Sequence, residues 1–137
     1  MALVLDTGPL YGSLDRDDAS YSKVRELLRE TREALVIPSP VLVEAEQLIR
    51  SRLHPGIFDA FLDDILAGAY RIEDLRRDDY ERVHELCIQY ADSDIGFVDA
   101  AVLAIVERLN EPKLATLDHR HFGILRPRHV ESLTLLP

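Results

Sequence analysis

Apolar and polar positions along this chain fall into short blocks that switch between two periods. Leu3-Val4-Leu5 is a continuous apolar run meeting Asp6-Thr7-Gly8-Pro9, which predicts a buried strand and then a turn. Tyr21, Val24, Leu27 and Leu28 recur at helical spacing behind candidate caps at Asp17, Asp18 and Ser20, predicting a helix to about Arg32. Ala34 to Ile37 is a second short apolar run. Pro38-Ser39-Pro40 opens a helix reaching about Arg52, since Pro40 sits where a missing N–H costs nothing. Phe58, Phe61, Leu62, Ile65 and Leu66 mark another helix, closed by Gly68, and Tyr70 to Glu73 a third strand. Asp78 to Tyr90 reads as helix, with Val83, Leu86, Cys87 and Tyr90 on one stripe. Asp92-Ser93-Asp94 would cap an apolar helix extending to Leu109. Lys113 to Leu117 and Glu131 to Leu136 complete the strands, with a short turn after Asp118. Strands alternating with helices predict an α/β fold, a short parallel sheet flanked by helices on both faces.

Length and composition agree with one such unit. The 137 residues, 47% hydrophobic and 30% charged, suffice for a single core, so residues 1–137 are read as one domain. No apolar run approaches the roughly 18 residues of a membrane span, and the N-terminus lacks the basic start of a signal peptide. The single Cys87 excludes an internal disulfide, and the cytoplasm is the expected compartment. A net charge of −9 runs against the basic field that draws most proteins to nucleic acid. Divalent cations held by clustered acids would offset part of it.

Four acids stand where acids are costly. Asp6 and Asp118 each follow an apolar strand, and parallel topology puts both on the carboxyl edge, where open α/β sheets bind ligands. Asp also favours turns and caps, so either residue alone has an ordinary explanation. Asp99 is the only ionisable residue between Ile95 and Val106, in a helix apolar on every side. A buried carboxylate there needs an Arg or Lys partner, a proton or a cation. The helix N-terminus supplies only about 0.3–1 kcal/mol. Glu44 repeats the pattern between Val41, Ala45 and Leu48, with a salt bridge to a nearby arginine as the alternative. Oxygen donors without Cys or clustered His suit Mg²⁺, with Mn²⁺ able to substitute, better than zinc. After Asp118, the segment holding Arg120, Arg126, Arg128, His119, His121 and His129 is either a set of phosphate contacts or a solvated loop.

Asp6-Thr7, Glu44 on the helix opened by Ser39-Pro40, FVDAA around Asp99 and ATLDHRHF around Asp118 together resemble the PIN domain, and most of all the VapC toxins of VapBC toxin–antitoxin modules. The resemblance runs from Asp6 to the last strand. It implies a pocket of Asp6, Glu44, Asp99 and Asp118 holding one or two Mg²⁺ ions, and endoribonuclease activity by metal-activated water. It further implies a small VapB-like antitoxin, and both a homodimer and a toxin–antitoxin hetero-oligomer. Thr7 and Thr116 match positions where the family carries a hydroxyl near the metal waters, and Asp92 matches a recurrent aspartate that is either an outer ligand or a cap. The wide apolar set Phe58, Phe61, Leu62 and Ile65 is either core or a groove for an amphipathic antitoxin segment. Three rivals remain: a catalytically degenerate PIN-like interaction module, an aspartyl-phosphate phosphatase, and a DNA nuclease of related fold. The phosphatase wants an acid two residues after Asp6, where Gly8 stands.

Overall fold

The computed structural model describes every residue from Met1 to Pro137. Five short strands form the centre: β1 (Ala2–Val4), β2 (Ala34–Pro38), β3 (Arg71–Glu73), β4 (Lys113–Ala115) and β5 (Thr134–Leu136). β2 pairs in parallel with β1 and with β3, and β4 pairs in parallel with β5. A parallel bridge between Leu5 and Ala115 joins the two groups, giving the order β3-β2-β1-β4-β5. Seven helices connect and cover them: α1 (Thr7–Gly12), α2 (Tyr21–Glu30), α3 (Ser39–Arg52), α4 (Gly56–Leu66), α5 (Arg77–Gln89), α6 (Phe97–Arg108) and α7 (His119–Ile124). None is long and apolar enough to cross a membrane.

The core explains why the short apolar runs became strands. Leu3, Val4, Val36, Ile37 and Leu114 are completely or almost completely buried, as expected for a parallel sheet covered by helices. α6 is the central helix: every residue from Ala100 to Val106 is buried. It packs against α5, and Cys87 is a half-buried packing residue at that core.

Ion pairs fasten the far end of α6. Arg82 holds Glu107 at 2.7 Å, and Arg108 reaches Asp79 at 3.0 Å and Glu73 at 3.1 Å, tying together β3, α5 and α6. Asp79 is also fixed by the Arg76 N–H at 2.9 Å, in a capping box at the start of α5.

Three local expectations change. The segment after Asp6 is a helix, α1, because Pro9 falls in its first turn, where its missing N–H is no loss. The turn after Asp118 is likewise a helix, α7, whose N-cap is Asp118 itself. Asp92-Ser93-Asp94 does not cap α6. Asp94 adopts a left-handed φ of 57° in a turn, and Gly96 takes the cap position.

Candidate active site

Asp6 leaves the carboxyl end of β1 with its N–H donated to the Ala115 carbonyl at 2.9 Å, so the bridge between β1 and β4 fixes where its side chain starts. Thr116, the first residue beyond β4, is buried and donates its hydroxyl to Asp6 Oδ2 at 2.8 Å. The same Thr116 oxygen accepts the Asp118 N–H at 3.0 Å. One hydroxyl therefore sets both strand-end aspartates. Asp118 Oδ1 in turn accepts the His121 N–H at 3.0 Å, capping α7.

The helical acids face this edge. Asp99 is the third residue of α6, within the first turn, where the helix dipole favours negative charge. Its side chain is only 19% exposed. Glu44 projects from the middle of α3, whose Val41 and Ala45 are buried against the core. It also borders an apolar cleft of about 410 Å³ lined by Pro40, Val43, Tyr80, Phe97 and Val98.

The four acids act on one another electrostatically. Burial pushes the Asp6 carboxyl up to about 6. The charges of Asp99 and Glu44 push the same way, opposed by the hydrogen bonds from Thr116 and Thr7. Asp99 is also raised, first by desolvation; His121 opposes the rise, while Asp118 and Glu44 add to it. None of the four makes an ion pair with a lysine or arginine; each Lys or Arg ion pair goes to another acid. The structural ion-pair explanations for Glu44 and Asp99 therefore have no partner residue to rest on.

Sequence reasoning gave His121 too small a part. Its Nδ1 lies 2.8 Å from Asp118 Oδ2 and 3.2 Å from Asp99 Oδ2. Neither contact is aligned as a hydrogen bond, and both ring nitrogens are closed off from solvent. Ligand atoms of Asp99, Asp118 and His121 all lie within 4.8 Å of one another. The signal lay in the i, i+3 spacing: with Asp118 as N-cap, the third residue of the new helix turns back over it.

The donor set suits a divalent cation. Three aspartates and a glutamate supply hard oxygens, and the raised carboxyls of Asp6 and Asp99 mark negative charge that no lysine or arginine offsets. The Thr7 hydroxyl, at the start of α1, is buried with no hydrogen-bond partner, an orphan polar atom beside Asp6.

Other residues singled out from sequence fall elsewhere. Asp92 is exposed in the turn before α6 and bonds to none of the cluster. Arg120 is exposed on α7 beside His121, and Arg126 is exposed with its N–H on the Tyr90 hydroxyl at 2.9 Å. Arg128 does not belong with them. It pairs with Glu85 and its N–H reaches Glu107 at 2.7 Å, near the end of α6 opposite Asp99. Eight residues of helix separate Asp99 from Glu107, about 12 Å; after α7 the chain runs back along α6, carrying Arg128 away. Phe61 must also be withdrawn from the exposed groove on α4. It is 1% exposed, in the core, with its ring 5.0 Å from that of Tyr70. Phe58 and Ile65 are half-buried and Leu62 is exposed, so most of the wide stripe is core.

No protein-family model matches the chain. Ribonuclease VapC26 of Mycobacterium tuberculosis is 27% identical over 135 residues, covering 98% of this chain and all of that protein. Among solved structures, M. tuberculosis VapC20, described as a sarcin-ricin loop cleaving toxin, superposes with a TM-score of 0.79 at 19% identity, over 86% of this chain and 91% of that one. The Rickettsia felis VapBC2 complex bound to a promoter DNA fragment matches with a TM-score of 0.73 at 21% identity, over all of both chains. With the sheet order and these full-length matches, the chain has the fold of the VapC toxins and is similar along its whole length to a VapC ribonuclease.

Proposed function

We propose that this protein is a metal-dependent endoribonuclease and the toxin of a toxin–antitoxin pair. The observation that carries the reading is the set Asp6, Glu44, Asp99 and Asp118: four mutually repelling carboxylates without a lysine or arginine among them. A stable fold does not keep such a cluster for packing, because each buried unpaired charge is unfavourable by several kcal/mol. The full-length relationship to a VapC ribonuclease supports the same reading, and the complexes among its structural neighbours support an antitoxin partner.

The residues divide the work by position. Asp6, Glu44 and Asp99 would hold the principal Mg²⁺, directly or through water, with Asp118 completing a second site or orienting the attacking water. A bound Mg²⁺ supplies positive charge against the charge that develops on the phosphodiester oxygens and acidifies water at neutral pH. Thr116 keeps Asp6 and Asp118 in register, and its hydrogen bond favours the ionised form of Asp6 that a cation requires. The free Thr7 hydroxyl would bond water at the site. Arg120, exposed beside His121, and Arg126, exposed just after α7, would contact RNA phosphates.

Cleavage of total cellular RNA by the purified protein tests the reading, with Mg²⁺, with Mn²⁺ and with chelator. Cleavage that needs the ion and is suppressed by the co-expressed product of a neighbouring antitoxin gene is the expected result. Equal cleavage in chelator would reject the metal-dependent mechanism, and no cleavage under any condition would favour a degenerate interaction module.

A further inference from the structure

The amino edge of the sheet, opposite the acids, carries a second feature. Two adjoining hollows of about 510 and 280 Å³ share Leu28, Leu35, Ala69 and Tyr70, so they form one groove between the end of α2 and the starts of β2 and β3. The four shared residues give it an apolar strip, with the Tyr70 ring packed on buried Phe61, and polar groups make up the rest of the larger hollow. The rim is basic. Arg25 and Arg29 line one hollow, Arg32 and Arg71 the other. Arg25, Arg29 and Arg32 enter no ion pair; Arg25 lies over the Tyr21 ring at 5.8 Å, and Arg71 has only a 3.6 Å contact with Glu73. Besides Glu73, two further acids are close. Glu33 is engaged by Lys113 at 2.8 Å, and Asp64 on α4 lies close enough to influence the Tyr70 hydroxyl.

Unpaired arginines around an apolar strip are unusual in a protein of net charge −9. Salt confines the repulsion from the rest of the surface to about 8–10 Å, so the local sign decides what docks here. We propose that this groove binds an acidic amphipathic segment of a partner protein, its apolar side chains on Leu28, Leu35 and Tyr70 and its carboxylates on the arginine rim. Arginine matches a carboxylate with two parallel hydrogen bonds, and an apolar strip is the feature that a helix-in-groove partner needs. A nucleic-acid backbone would satisfy the arginines and leave Leu28 and Leu35 against polar sugar and phosphate. The groove is also remote from the acids: β2 alone, five residues long, spans about 15 Å between the two edges. The ribonuclease reading neither requires this groove nor is required by it.

The test uses the full-length protein and a fluorescein-labelled helical peptide of glutamate and leucine, with leucines at i, i+3, i+4 and i+7. A lysine-for-glutamate version and a labelled oligouridylate RNA serve as comparisons, all read by fluorescence anisotropy. Arg29→Glu with Arg32→Glu reverses the rim, and Arg16→Glu with Arg76→Glu makes the same charge change on exposed arginines elsewhere. We expect the acidic peptide to bind wild type and the Arg16/Arg76 variant alike, and to bind the rim variant about tenfold or more weakly, with the lysine peptide not binding. RNA cleavage by the rim variant should be unchanged, so the groove and the ribonuclease reading stand or fall separately. Equal weakening in both variants, unchanged binding in the rim variant, or no binding to wild type overturns the proposal. So does oligouridylate affinity lost from the rim variant while peptide affinity is kept, which would make the groove an RNA surface.

Discussion

Thr116 and Asp6 lie 110 residues apart in sequence, yet the Thr116 hydroxyl donates to Asp6 Oδ2 at 2.8 Å while its oxygen accepts the Asp118 N–H. Two neighbouring strand ends are thereby locked to one atom. Thr116→Val keeps the shape and deletes the hydroxyl. It should destabilise the fold by about 1 kcal/mol, the usual net worth of a buried hydrogen bond. It should also weaken Mg²⁺ binding by about tenfold to a hundredfold, as removal of an outer-shell partner does. Calorimetric titration of Mg²⁺ into both proteins checks this; unchanged affinity would reduce Thr116 to a packing residue.

Asp6 gives a pH signature in the absence of divalent ions. Its carboxyl is pushed up to about 6 from 3.8, so between those values the folded protein keeps a proton that the unfolded chain has released. Folding stability from this group is therefore lost as pH rises through that window, reaching a deficit of about 3 kcal/mol above it. Asp6→Asn removes the carboxyl and relieves its repulsion on Asp99. In chelator, the variant should gain on wild type from about pH 4 to about pH 7 in urea-unfolding experiments. Parallel stability curves would mean that Asp6 is not held in an unfavourable charge state.

Phe61 and Leu62 separate what periodicity can tell from what it cannot. The apolar stripe of α4 was readable, but neighbouring residues on a helix point about 100° apart, and only the packing of α4 on α3 and Tyr70 decides which is inside. Phe61→Ala should destabilise the protein by about 3–5 kcal/mol, whereas Leu62→Asp, at a 37% exposed position, should change stability by less than about 1 kcal/mol. Thermal unfolding of the two variants distinguishes them, and similar melting temperatures would contradict the packing of α4.

The same limit divides the rest of the sequence reading. Apolar runs and their turn residues fixed the strands and long helices because burial acts along the whole run, as in Ala100–Val106. Asp99 was conspicuous because it interrupts such a run. His121 and Arg128 were not separable by sequence, since both follow Asp118 in one basic segment. What sends His121 onto Asp99 and Arg128 to Glu85 is the short α7 and the return of the chain along α6. The arginine groove was equally hidden, because Arg25, Arg29 and Arg32 meet Arg71 only through the packing of β2 beside β3.

Arg108 anchors the end of α6 away from the acids, bonding Asp79, Glu73 and the Asp74 carbonyl. Arg108→Met would leave Asp79, buried at the start of α5, without its cation. Breaking one side of a buried pair is unfavourable by about 3–5 kcal/mol. The melting temperature should fall by about 10–17 °C, while RNA cleavage per folded molecule is retained at low temperature. Loss of cleavage without loss of stability would place this network in the functional site.

Asp99→Asn tests the acid cluster most directly, because folding and chemistry should move in opposite directions. The aspartate is raised by desolvation and by the charges of Asp118 and Glu44, so its ionised form is held at a cost in free energy. An asparagine of the same size removes that repulsion, and the folded state should be equally stable or firmer in chelator at neutral pH. Mg²⁺ should then stabilise the variant less than it stabilises wild type, since binding linkage scales with affinity. RNA cleavage should fall at least a hundredfold, beyond the 10–100-fold typical of losing a mere outer-shell partner. Growth inhibition on expression should disappear with it. A folded Asp99→Asn protein that cleaves RNA at the wild-type rate would remove Asp99 from the metal site and leave its position in α6 unexplained.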